Sequence, residues 1–89
     1  MNMDPKIGSE LLKQIEKAKK EDPHRDIPVI LTTRSDADPQ LLEQKGLKIR
    51  NIFESISAIS GTVDINDVNE LSQLDQVIKI EYDGEVHTL

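Results

Sequence analysis

Between two β-branched runs lies a helix whose two ends are written into the chain. Residues 38–46 read Asp-Pro-Gln-Leu-Leu-Glu-Gln-Lys-Gly. Asp38 can accept from the unpaired N–H groups of a first turn. Pro39 presets a helical φ where no N–H is needed, and Gly46 suits the left-handed residue that follows a last turn. The run before it, IPVILTT (27–33), is apolar and bounded by turn residues, and reads as a buried strand. The run after it, LKIRNIF (47–53), sets Leu47, Ile49 and Phe53 against Lys48 and Arg50, which predicts a half-buried strand.

The second half repeats the scheme. ISAISGTVDI (56–65) is a strand with small residues and a glycine. NDVNELSQLD (66–75) puts Val68, Leu71 and Leu74 on one helical face, with Asn66 or Asp64 as its cap. QVIKIEYD (76–83) is the last strand, with Ile78 and Ile80 on one face. The order strand, helix, strand, strand, helix, strand predicts an α+β fold, a ferredoxin-like βαββαβ sandwich. Its sheet is four-stranded and antiparallel, with the first and last strands adjacent. Two right-handed crossovers put both helices on one face. The other face is bare unless something covers it.

Ahead of this unit, residues 1–8 form a leader, and Ser9 is a candidate cap for a helix over 9–20. Ile7, Leu11, Ile15 and Ala18 make an apolar stripe with Leu12 beside it, and the charge order, acid first and lysines last, suits the helix dipole. EDPHRDIP (21–28) breaks the helix. Residues 1–26 are therefore an extra N-terminal helix with its linker, and 27–89 the principal domain with a C-terminal tail. The stripe needs burial somewhere. The helix covers part of the bare sheet face, extends the helical layer, or makes a homodimer contact.

Composition narrows the chemistry. Eighty-nine residues make one small domain that buries roughly 60–65% of its unfolded surface. No cysteine is present, so neither a disulfide framework nor a thiolate metal site can form. Seventeen acids against 11 bases give a net charge of -6, which argues against nucleic acid and anionic membranes. The N-terminus has no secretory pattern and no apolar run is long enough to span a bilayer, so the expected location is the cytoplasm. His24 and His87 lie at no ligand spacing, so no metal or other cofactor is expected. Ser55, Ser57 and Ser60 are read on strands, without the tight turn of a nucleophile. Arg34 and Asn51 could pair as in an acylphosphatase-type hydrolase, but the glycine-rich loop such an enzyme needs is missing. The expectation is a binding protein and not an enzyme.

Three features together carry a resemblance. QKGLKIRNIF (44–53) has a glycine-centred turn into a strand. Val68, Leu71, Leu74 and Val77 form an apolar ladder from helix to strand. Ile80-Glu81-Tyr82-Asp83 is followed by six residues ending at Leu89. Over residues 27–89 the chain resembles the propeptides of subtilisin-like serine proteases and the small stand-alone inhibitors that share their fold. It departs from them at Ser57-Ala58, where the family often has Asn-Gly, and in the N-terminal helix.

The resemblance implies a protease inhibitor, and a folding chaperone, whose open sheet face packs on two helices of a subtilisin-like partner. Glu81 and Asp83 would meet the N-termini of those helices, where unpaired N–H groups and the dipole favour carboxylates. The tail Glu85-Val86-His87-Thr88-Leu89 would lie extended in the substrate cleft as an added strand. Leu89 would fill the primary specificity pocket and Val86 an apolar pocket further along, with small Thr88 between them. Read from the residues alone, Glu81 and Asp83 are outward positions of a strand and its turn, and the tail is a frayed end. The rival from a different class is a ferredoxin-fold interaction or oligomerisation module without a protease partner.

Overall fold

The computed structural model describes residues 6–22 and 25–84. In chain order these form α1 (Ser9–Glu21), β1 (Asp26–Thr33), α2 (Pro39–Gln44), β2 (Lys48–Phe53), β3 (Ala58–Asp64), α3 (Val68–Ser72) and β4 (Val77–Tyr82), with a 3-10 turn at Glu54–Ile56. The four strands make one sheet in the order β2-β3-β1-β4, every neighbouring pair antiparallel. The first and last strands are therefore side by side. Among the described residues no helix is long and apolar enough to cross a membrane.

The punctuation of α2 behaves as its residue types demand. Asp38 Oδ1 accepts from the Gln40 N–H at 2.9 Å. Pro39 opens the helix, and Gly46 takes φ 106 just beyond it. At the other two helices the expected caps differ. Ser9 is the first residue of α1, not its cap; Gly8 precedes it and no side chain caps the turn. Asp64 Oδ1 accepts from the Asn66 N–H at 2.8 Å, an Asx turn that leads into α3 without capping it.

Antiparallel partners point to the same face, so the register sorts the strands. Ile27, Val29 and Leu31 of β1 stand opposite Val63, Gly61 and Ile59 of β3. Leu31 also stands opposite Ile80 of β4. These side chains are buried in one cluster with Leu42 of α2 and with Val68 and Leu71 of α3. Leu11, Ile15 and Ala18 of α1 belong to the same cluster, and Leu11 has no exposed surface. The N-terminal helix thus extends the helical layer, and its apolar stripe is buried in its own chain. Its entry strand closes the outer edge of β4: the Gly8 N–H donates to Ile80 O at 2.8 Å, and the Ile80 N–H to Lys6 O at 2.7 Å.

Two bulges change what alternation alone predicts. The β2–β3 register shifts between Ile49 and Asn51, so Ile49 pairs with Gly61 but Asn51 with Ser60. Arg50 is the extra residue, and everything after it changes face. Phe53, which alternation groups with Ile49, instead pairs with Ala58 and faces away from the helices. The β1–β4 register shifts likewise: Thr32 pairs with Lys79 and Thr33 with Val77, leaving Ile78 unpaired. The inward residues of β4 are Val77, Ile80 and the partly buried Tyr82, while Ile78 is 53% exposed. The third departure is at the β2–β3 connection. Ser55 lies in the 3-10 turn and Ser57 is left-handed at φ 51, so of the three serines only Ser60 is on a strand.

Candidate functional site

The sheet face opposite the helices is the feature to explain. Three rows of residues cross it from β2 to β4. At one end Phe53, Ala58, Thr32 and Lys79 stand in line, with Ile78 beside Lys79. The middle row is Asn51, Ser60, Ile30 and Glu81. The far row runs from Lys48 through Thr62 to Pro28, where the Asp83 N–H donates to Pro28 O at 3.0 Å. Ala58 is buried by its neighbours, yet it lies outside the cluster that holds the helices. Among the described residues no helix lies on this face.

The small centre follows from the sequence of β3, where Ala58, Ser60 and Thr62 alternate with the core residues Ile59, Gly61 and Val63. Small side chains flanked by larger ones at both edges leave a shallow floor. Its two ends differ. Phe53 and Ile78 make one end apolar, 41% and 53% exposed. The β4 side is charged. Glu81 is exposed and its carboxylate lies 3.6 Å from the Lys79 ammonium, with both side chains about half exposed. Such an ion pair is worth at most about 1 kcal/mol, so it does not lock Glu81 in place. Glu81 and Asp83 are two residues apart on an extended chain, about 7 Å along one face.

On the opposite edge Lys48 bonds Asp26 Oδ2 at 2.8 Å. That hydrogen bond, with the attraction of Asp26 and then Asp64, holds the Lys48 ammonium above the usual lysine value. The pair ties β2 to the start of β1 across β3 at the charged end of the face.

Of the residues singled out for binding, the structure brings Glu81 and Asp83 to the bare face. Glu85, Val86, His87, Thr88 and Leu89 lie outside the described residues, as does His24. Among the described residues no group of three His, Cys, Asp or Glu could hold a metal ion. Arg34 lines a cleft of about 420 Å³ with Thr33, Ser57 and Phe53 at the end of the sheet. Asn51 does not line it; it stands on the sheet face opposite Ser60.

Sequence reasoning missed Phe53 as a residue of the bare face and Ile78 as an exposed bulge residue beside it. For Phe53 the available signal was Gly61, a glycine inside a strand, which marks a bulge or a close backbone approach. A Cβ on Gly61 would meet the backbone of Lys48 and lie 3.1 Å from Ile49 Cα. No protein-family model matches the chain, and no curated protein matches it either.

Proposed function

We propose that this chain is a protein inhibitor of a subtilisin-like serine protease, docking its bare sheet face on the protease and laying its C-terminal residues in the substrate cleft. The observation that carries the reading is the division of the sheet, with three helices on one face and Glu81 and Asp83 on the other. The strand order β2-β3-β1-β4 supports reading residues 26–84 as a ferredoxin-like βαββαβ sandwich to which α1 is an addition. Because α1 packs on the helical side, it leaves the docking face open.

The mechanism follows from elementary chemistry. Two surface helices of the protease present unpaired N–H groups and a partial positive charge at their N-termini. A carboxylate at each is worth about 0.3–1 kcal/mol, and more when partly buried. Glu81 and Asp83 supply the two carboxylates. Ile30, Ser60 and Thr62 offer a floor low enough for helices to approach. From Gly84 the chain continues as Glu85-Val86-His87-Thr88-Leu89, pairs as an added strand in the cleft, and sets Leu89 and Val86 in apolar pockets. It occupies the cleft in the manner of a bound substrate strand and so blocks it. A chain that binds the folded protease and not its unfolded state also favours protease folding by mass action, which is the chaperone half of the reading.

A second reading is favoured by Phe53, Ile56 and Ile78, which expose apolar surface at one end of the sheet. On that reading the chain is a protein-interaction module whose partner is not a protease. Titrating a subtilisin-like protease with the purified chain separates the two. Inhibition lost on deleting residues 86–89, or on Leu89→Asp, is the outcome expected of the inhibitor. An unpaired aspartate in an apolar pocket is strongly disfavoured. No inhibition by the intact chain at large excess favours the module.

A further inference from the structure

The two edges of the sheet are treated differently. The outer edge of β4 is closed by Lys6, Ile7 and Gly8 through two backbone hydrogen bonds. The outer edge of β2 has no backbone partner among the described residues. Lys48 and the bulge at Arg50 blunt its first half, as charged residues and bulges do on natural edge strands. Its second half, Asn51, Ile52 and Phe53, is unprotected and runs into a turn that exposes Ile56. Ile52, Phe53 and Ile56 are 49%, 41% and 64% exposed, three of the four large apolar side chains that stand exposed among the described residues.

We propose that this chain forms a two-fold dimer by antiparallel pairing of β2 with β2 of a second copy, centred on Ile52. Charge selects a second copy as the occupant. Arg50 and Glu54 flank Ile52 at two residues on either side, and neither makes an ion pair among the described residues. When the strand pairs with itself about Ile52, Asn51 falls opposite Phe53 and Ile52 opposite itself, each pair on a common face as antiparallel pairing requires. Just beyond the two ends of that stretch, the bulge residue Arg50 of each copy comes beside Glu54 of the other, which opens the 3-10 turn. One contact thus joins two ion pairs to a stretch that exposes apolar side chains on both faces of the sheet, Ile52 on one and Phe53 on the other. Two-fold contacts are self-complementary, and the order basic, apolar, acidic is what a self-complementary strand needs. The paired stretch is short, so the interface falls in the weak, transient class below about 1,200 Å². The two sheets become one, and the bare face of each copy stays open, so the dimer does not depend on protease binding.

The test is sedimentation equilibrium of the full chain from micromolar to millimolar concentration. The mass rises with concentration from 10.0 kDa toward twice that value. Arg50→Glu and Glu54→Arg each remove the rise, because like charges then face each other across the two-fold. A one-to-one mixture of the two variants restores it, since one chain then carries two acids and the other two bases at the contact. Both side chains are exposed, and circular dichroism of each variant checks that the fold is kept. Restoration by mixing is itself proof that both variants fold. A wild-type chain that stays at 10.0 kDa throughout overturns the proposal. So do single variants that associate as the wild type does, or a mixture that does not associate.

Discussion

Gly61→Ala is the sharpest perturbation of the sheet. The new methyl would point to the helix side, where Gly61 stands between Val29 and Ile49. It would sit 3.0 Å from Lys48 C and 3.1 Å from Ile49 Cα, and closer still to the Lys48 carbonyl oxygen. These are backbone atoms, so no rotamer change relieves the contact; β2 must move away from β3 as a strand. Overpacking costs about 1–3 kcal/mol where side chains can yield, and a rigid neighbour puts this case at the upper end. Replacing glycine within a strand returns about 0.5–1 kcal/mol of chain entropy. The steric term wins, leaving about 2 kcal/mol of destabilisation. In a domain of this size that lowers Tm by about 8–16 °C. Thermal unfolding followed by circular dichroism measures it. A neutral or stabilising Gly61→Ala would refute the close approach of β2, and with it the bulge that turns Phe53 to the bare face.

Glu81→Gln with Asp83→Asn should change the stability of the free chain by no more than about 0.5 kcal/mol, as for exposed groups, while weakening protease binding; a sharp fall in Tm would make them caps within this fold. Leu11→Ala should cost about 2–5 kcal/mol in chemical denaturation, since Leu11 is fully buried against the sheet. A cost below about 1 kcal/mol would mean that α1 is not part of the core. For Lys48→Met the sign follows from the raised ammonium. Its contribution is full below the ordinary lysine value of 10.5 and lost as the pH rises past the raised one. The difference in Tm between wild type and variant should therefore be level through neutral pH and close only in strongly alkaline solution.

The elements that local chemistry punctuates were legible in the chain. Asp38, Pro39 and Gly46 mark α2 at both ends because each residue type has one backbone job there. The stripe of Leu11, Ile15 and Ala18 is buried as its spacing requires. What period alone could not reveal is register. Alternation assigns Phe53 and Ile78 to the core, but a single extra residue in β2 and another in β4 reverse the faces beyond them. Those bulges depend on how two strands lie against each other, which no one strand encodes. The same limit holds for the bare face. Glu81 reads as outward from its own strand, but that it shares a face with Asn51, Ser60 and Ile30 follows only from three register pairings.

The bare face as a protease-docking surface is tested most directly through isoleucine methyl groups. Ile30 and Ile78 lie on or beside that face, Ile15 and Ile65 are buried on the helical side, and Ile52 and Ile56 mark the β2 corner. Spectra of the methyl-labelled chain, recorded while an inactivated subtilisin-like protease is added to one equivalent, read all six positions at once. The account predicts that Ile30 and Ile78 shift while Ile15 and Ile65 hold their positions. Spectra unchanged at one equivalent, or shifts confined to Ile52 and Ile56, would contradict it.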